Sequence, residues 1–113
     1  MTHPTFDYEA ALQRCARGDR TALRQIYETE SRWLLGVAYR IVRDQQVAED
    51  VVQEAFISIW TRAATFDPTR GSGRGWIYTI IRHRALQEIR GPGSRRRVET
   101  DDIEALMAHQ AND

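Results

Sequence analysis

The chain has 113 residues, 42% of them apolar and 28% charged, which suits one small domain with a modest core of its own. Its single cysteine, Cys15, excludes an internal disulfide, and the three histidines (His3, His83, His109) are too far apart in sequence to show metal-ligand spacing. No apolar run approaches the roughly 20 residues of a membrane helix. The N-terminus lacks the basic start and long apolar stretch of a signal peptide, so a reducing cytoplasm is the expected setting.

In chain order, the first predicted helix runs from about Tyr8 to Ala16, with Tyr8, Leu12 and Cys15 on one side. Cys15 in that apolar pattern reads as a small core residue. Gly18 stops the helix and Asp19 is placed to cap the next. The second helix is long, about Arg20 to Val42. Leu23, Ile26, Tyr27, Leu34, Val37, Ala38 and Ile41 recur at helical spacing, with Trp33 beside them. After a short turn at Arg43-Asp44, a third helix spans about Val47 to Ala64. Its apolar stripe combines Val47, Val51, Ala55 and Ile59 with Ala48, Val52 and Phe56.

The stretch from Phe66 to Gly75, with one proline, three glycines and short polar residues, predicts a loop of roughly ten residues. Loops of that length in small domains are often functional. The fourth helix, about Gly75 to Ile89, turns Ile77, Ile80, Ile81, Ala85 and Ile89 inward, and Gly91-Pro92-Gly93-Ser94 ends it. The β-branched residues fall at helical and not alternating spacing, so the expected fold class is all-α, a compact bundle of about four helices. The acidic stretch from Glu99 to Glu104 reads as a linker or tail, dividing the chain into a helical domain over 1–97 and a tail over 98–113.

The net charge of zero conceals a polarity. All 16 basic residues are arginine, and Arg70 to Val98 holds eight of them against one acid, Glu88. A basic end suits phosphates and an acidic remainder suits a basic protein partner, although a preference for arginine with chance clustering gives the same picture. Asp50, Gln53 and Glu54 stand at i, i+3 and i+4, a patch one turn long that is either a docking face or simply the wet side of an amphipathic helix. Arg70 and Arg74 in the loop are interleaved with Phe66, Trp76 and Tyr78. Single-stranded nucleic acid is bound by such a mixture, cations for its backbone and flat rings for its bases. Trp76 is also consistent with a core residue at a helix start, and Arg82, His83, Gln87 and Arg90 with a solvated face. No Ser-His-Asp order, phosphate-binding Gly-Lys motif or metal-ligand cluster is found, so neither catalysis nor a cofactor is expected.

Taken together, these segments resemble a known family. Asp50-Val51-Val52-Gln53-Glu54-Ala55-Phe56-Ile57-Ser58-Ile59-Trp60 is similar to region 2.2 of sigma factors, with its Asp-x-x-Gln-Glu core. The preceding Val42-to-Glu49 segment resembles the extracytoplasmic-function (ECF) pattern, a short turn carrying an Asp before an Ala-Glu-Asp start. Phe66-Asp67 followed by Arg74-Gly75-Trp76-Ile77-Tyr78-Thr79-Ile80-Ile81-Arg82 resembles regions 2.3 and 2.4. The resemblance covers about residues 7 to 97 and departs from the family at Gly73, where an aromatic is common, and at His83 and Gln87, where Asn and Asp are.

The resemblance implies a non-enzymatic transcription initiation module. Asp50, Gln53 and Glu54 would grip the β′ clamp helices of RNA polymerase core. The Phe66-to-Gly75 loop would take an unstacked base of the non-template strand in the −10 promoter element. Arg74, Trp76, Thr79, Arg82, His83 and Gln87 would face the melted DNA or its upstream edge, flanked by Arg70 and Arg90. An anti-sigma factor would be a further partner, and a helix-turn-helix domain that reads the −35 element would lie outside this chain. A helical protein-binding module without a DNA role is the competing reading.

Overall fold

The computed structural model describes residues 6–90, and the predicted tail, with Arg95, Arg96 and Arg97, lies outside them. Four helices form: α1 (Tyr8–Ala16), α2 (Arg20–Val42), α3 (Gln45–Arg62) and α4 (Gly73–Arg90). Two single turns of 3₁₀ helix, Ala63–Thr65 and Pro68–Arg70, connect α3 to α4. The all-α expectation holds, since no strand occurs among the described residues.

Aspartates start the first three helices. The Asp7, Asp19 and Asp44 carboxylates accept from the amides of Ala10, Thr21 and Val47 at 2.9–3.0 Å, satisfying amides that have no partner inside the helix. The Asp44 cap explains why α3 begins at Gln45, two residues before its apolar stripe. The helix then stops at Arg62, and the chain tightens into the 3₁₀ turn. At the other end of the connection, α4 begins at Gly73 and not at Gly75. The Ser72 hydroxyl accepts from the Gly75 amide at 3.0 Å, and the Glu9 carboxylate of α1 accepts from the Gly73 amide. The ten-residue loop therefore shrinks to Phe66–Ser72. Gly18 (φ +91°) and Arg43 (φ +61°) close α1 and α2 in positive-φ conformations, the latter with its amide donating to the Tyr39 carbonyl at 2.8 Å.

Helix α2 packs against each of the other three helices. Its Ile26, Leu34, Ala38 and Ile41 are fully enclosed, as are Leu12 of α1, Val51 and Ile59 of α3, and Ile77 and Ile81 of α4. Every apolar stripe residue expected on α3 and α4 is buried. Cys15 belongs to this core, and burial pushes its thiol pKa up, with Asp19 adding to the effect. Two positions on α2 depart from the expected pattern. Tyr27 is 47% exposed and meets Phe56 edge to face. Glu30, at 4% exposure, is the one buried charged residue among the described residues.

Candidate nucleic-acid interface and docking face

The connection between α3 and α4 builds a cleft. Asp67 accepts from both the amide and the hydroxyl of Thr69, at 2.9 and 2.7 Å, folding Pro68–Arg70 into a turn. The same two bonds, the hydroxyl's first, hold the Asp67 carboxyl below the usual carboxylate range. Gly71 follows at φ +151°, a conformation that glycine adopts readily. The chain then returns along α4, enclosing a volume of about 530 Å³. Phe66 and Trp76 stand side by side here, ring centroids 5.6 Å apart and tilted by 60°. Arg62 and Arg70 supply cations at the rim, and Thr79 adds a hydroxyl bonded back to the Gly75 carbonyl at 3.0 Å. Half-buried aromatic rings beside two guanidinium groups form the kind of surface on which a flat base can stack while a phosphate meets a cation.

Phe66, Arg70, Trp76 and Thr79 are thus brought together. Arg74 is not among the cleft's lining residues. Its Nε donates to Glu30 at 3.1 Å and its guanidinium lies 3.8 Å above the ring of Trp33. Trp33 in turn stacks on Tyr78, centroids 5.8 Å apart. Arg82 falls on the same row of α4 as Arg74 and Tyr78 and is half-buried. His83, Gln87 and Arg90 continue the row of Trp76 and Thr79, all three exposed. The His83 ring nitrogen and the Gln87 amide nitrogen are 3.3 Å apart, and Gln87 accepts from Arg84 at 3.3 Å.

The three residues expected to form one patch on α3 divide between two sides. Gln53 is exposed and borders two grooves between α2 and α3, one lined by Tyr27, Ser31 and Leu35, the other by Leu23, Ile57 and Trp60. Glu54 accepts from Arg84 of α4 at 2.7 Å. Asp50, half-buried, sits one turn before Glu54. Ile57 is 64% exposed, so this flank of α3 carries apolar surface as well as polar groups.

Sequence reasoning missed Glu30 and gave no site role to Trp33 or to the Ile57–Trp60 surface. A signal for Glu30 existed: it shares the row of Ile26, Leu34 and Ala38, an acid at a core register. Gly73 also acquires a reason. A Cβ there would lie 2.9 Å from the Tyr8 Cβ and 3.2 Å from a Leu12 methyl, so α1 leaves no room for the aromatic that the family often has.

A family profile, Sigma-70 region 2, matches residues 26–96. The chain belongs to the sigma-70 family, in its ECF branch. It is 33% identical over 101 residues to the ECF RNA polymerase sigma factor SigK of Mycobacterium ulcerans (strain Agy99), a match covering 85% of this chain and 54% of that protein. It is 31% identical over 93 residues to SigK of Mycobacterium tuberculosis (strain ATCC 25618 / H37Rv), covering 80% and 50%. SigK of Mycolicibacterium vanbaalenii is 29% identical over 86 residues, covering 76% and 44%. The chain spans about half the length of the curated relatives it matches.

Proposed function

We propose that this chain is the promoter-opening module of a transcription initiation factor. The observation that carries the reading is the Phe66–Trp76 cleft with Arg62 and Arg70 at its rim, located inside the region 2 match. It accepts an unstacked base of the −10 non-template strand. His83, Gln87, Arg82 and Arg90 extend the surface along α4 toward upstream DNA, with Arg74 beside its start. Opening draws its free energy from capturing flipped bases and not from hydrolysis, so the module is not an enzyme. Asp50, Gln53 and Glu54, with the apolar flank around Ile57 and Trp60, dock on the β′ clamp helices of RNA polymerase core. An anti-sigma factor that controls access to these faces is the further partner. Helices α2 and α3 hold no stretch long and apolar enough to cross a membrane, nor does any other helix among the described residues. A cytoplasmic place of action follows from the polymerase partner.

The test uses short single-stranded DNA with 2-aminopurine at successive positions. The chain should quench or enhance one position selectively, with affinity falling as salt rises. Trp76→Ala should lose ~1–3 kcal/mol of that binding, the value of one stacked base. A chain that binds polymerase core but leaves every position unperturbed at low salt would replace this reading with that of a protein-docking module.

A further inference from the structure

The proposed capture of a base requires the first turn of α4 to stand in one place, and two carboxylates from elsewhere in the fold converge on it. Glu9 of α1 accepts from the Gly73 amide, and Glu30 of α2 accepts from Arg74 Nε at 3.1 Å and Nη2 at 3.4 Å. Glu9 thereby sits at the positive end of the α4 dipole. Glu30 is enclosed, whereas the Arg74 side chain remains 50% exposed. The guanidinium is confined from another direction by Trp33, whose ring lies 3.8 Å away and is itself stacked on Tyr78 one turn along α4. Immediately before and after these anchored residues come Ser72, Gly75 and Trp76, which form one wall of the cleft.

We propose that Glu30 is a positioning residue for the DNA cleft: through Arg74 and Trp33 it locks the wall that carries Trp76, and Arg74 serves as an internal strut and not as a phosphate contact. The inference rests on the functional reading above and adds to it a residue on α2, outside every motif that suggested that reading. It also moves Arg74 from the DNA-contacting set into the scaffold. A buried carboxylate held by one guanidinium is an unusual way to join two helices, since apolar packing would join them as firmly. What the ion pair adds is direction: Nε and Nη2 must both face Glu30, which fixes the plane of the guanidinium and the backbone behind it.

Glu30→Gln separates the two roles of Arg74 by sign. Gln keeps the shape, and Arg74 is exposed enough to be solvated once its partner loses charge, so the fold survives. If Arg74 is a strut, affinity for short fluorescein-labelled single-stranded DNA of mixed sequence falls roughly fivefold, the cost of re-immobilising a side chain and the turn it carries. The salt dependence stays that of the wild type. Arg70→Ala provides the contrasting case, with its log-log salt slope reduced by about 0.7, as for one lost phosphate contact on a single strand. Amide hydrogen exchange gives a readout independent of DNA: Glu30→Gln should speed exchange at residues 73–79 and leave α3 unchanged. Tighter binding with a steeper salt slope would show Arg74 released onto a phosphate and would overturn the proposal. Unchanged exchange at 73–79, or an equal rise in every helix, would overturn it as well. A wild-type chain that binds no single-stranded DNA would instead remove the functional reading, while the exchange data would still decide whether Glu30 holds this turn.

Discussion

Removing Arg84 should strengthen docking on RNA polymerase core. Arg84 Nη2 lies 2.7 Å from Glu54 Oε1, so the acid assigned to polymerase is already engaged within the chain. The two side chains are 37% and 39% exposed, which places the pair among solvent-screened bridges worth ~0.2–1 kcal/mol. A polymerase cation that takes Glu54 must displace Arg84 and forfeit that amount. Arg84→Ala removes the competition in advance, so core affinity should rise by up to about fivefold, since 1.4 kcal/mol is a factor of ten. Stability should fall by no more than the same small amount. The assay is titration of core enzyme with labelled chain for four proteins: wild type, Arg84→Ala, Glu54→Ala and the double variant. Glu54→Ala should weaken docking, and in the double variant Arg84→Ala should have no further effect. Weaker docking by Arg84→Ala alone would mean that Arg84 itself meets the polymerase. An unchanged affinity in both single variants would remove Glu54 from the interface.

Gly73→Ala places a Cβ 2.9 Å from the Tyr8 Cβ and should cost ~1–3 kcal/mol by overpacking, read as a lower midpoint of chemical unfolding. Arg43→Gly should gain about 0.5–1 kcal/mol in the same experiment, because Arg43 holds φ +61° at the end of α2, where glycine has no Cβ to clash. Asp67 predicts a pH effect. Its folded pKa lies below the ordinary 3.8 because Thr69 donates to the carboxylate. Its contribution is therefore complete above 3.8 and is lost as pH falls through the lower folded value. Protection of the Thr69 amide, taken against the intrinsic exchange rate at each pH, should fall only in that acidic window in the wild type, and Asp67→Asn should show low protection at neutral pH as well.

The four helices are legible in the sequence because their apolar residues recur at 3.6-residue spacing, and that spacing survives in the buried faces of α3 and α4. The boundaries that moved did so for reasons of hydrogen bonding. Asp44 draws α3 back to Gln45, a local signal present in the sequence. Glu9 draws α4 back to Gly73 across a sequence separation of 64, and no local pattern reveals such a partner. The cleft was half legible: Phe66, Arg70, Trp76 and Thr79 come together as the motif order implies. Arg74 does not join them, because a composition of arginines and aromatics cannot tell a guanidinium aimed at a ligand from one aimed at a buried acid. Gln53 and Glu54 diverge for a simpler reason. Adjacent residues on a helix are about 100° apart, enough to send one toward α2 and the other toward α4.

The lone thiol of Cys15 gives this fold a clock. Its side chain is 3% exposed, and burial keeps it protonated beyond the ordinary range, so a thiol-directed reagent reaches it only when α1 lifts from the core. Because α1 supplies both Glu9 and the Tyr8 surface against which Gly73 packs, the labelling rate of one atom measures how often the start of α4 loses its support. A DNA ligand that steadies the cleft should slow that labelling without touching the sulfur, since Cys15 is not among the cleft's lining residues.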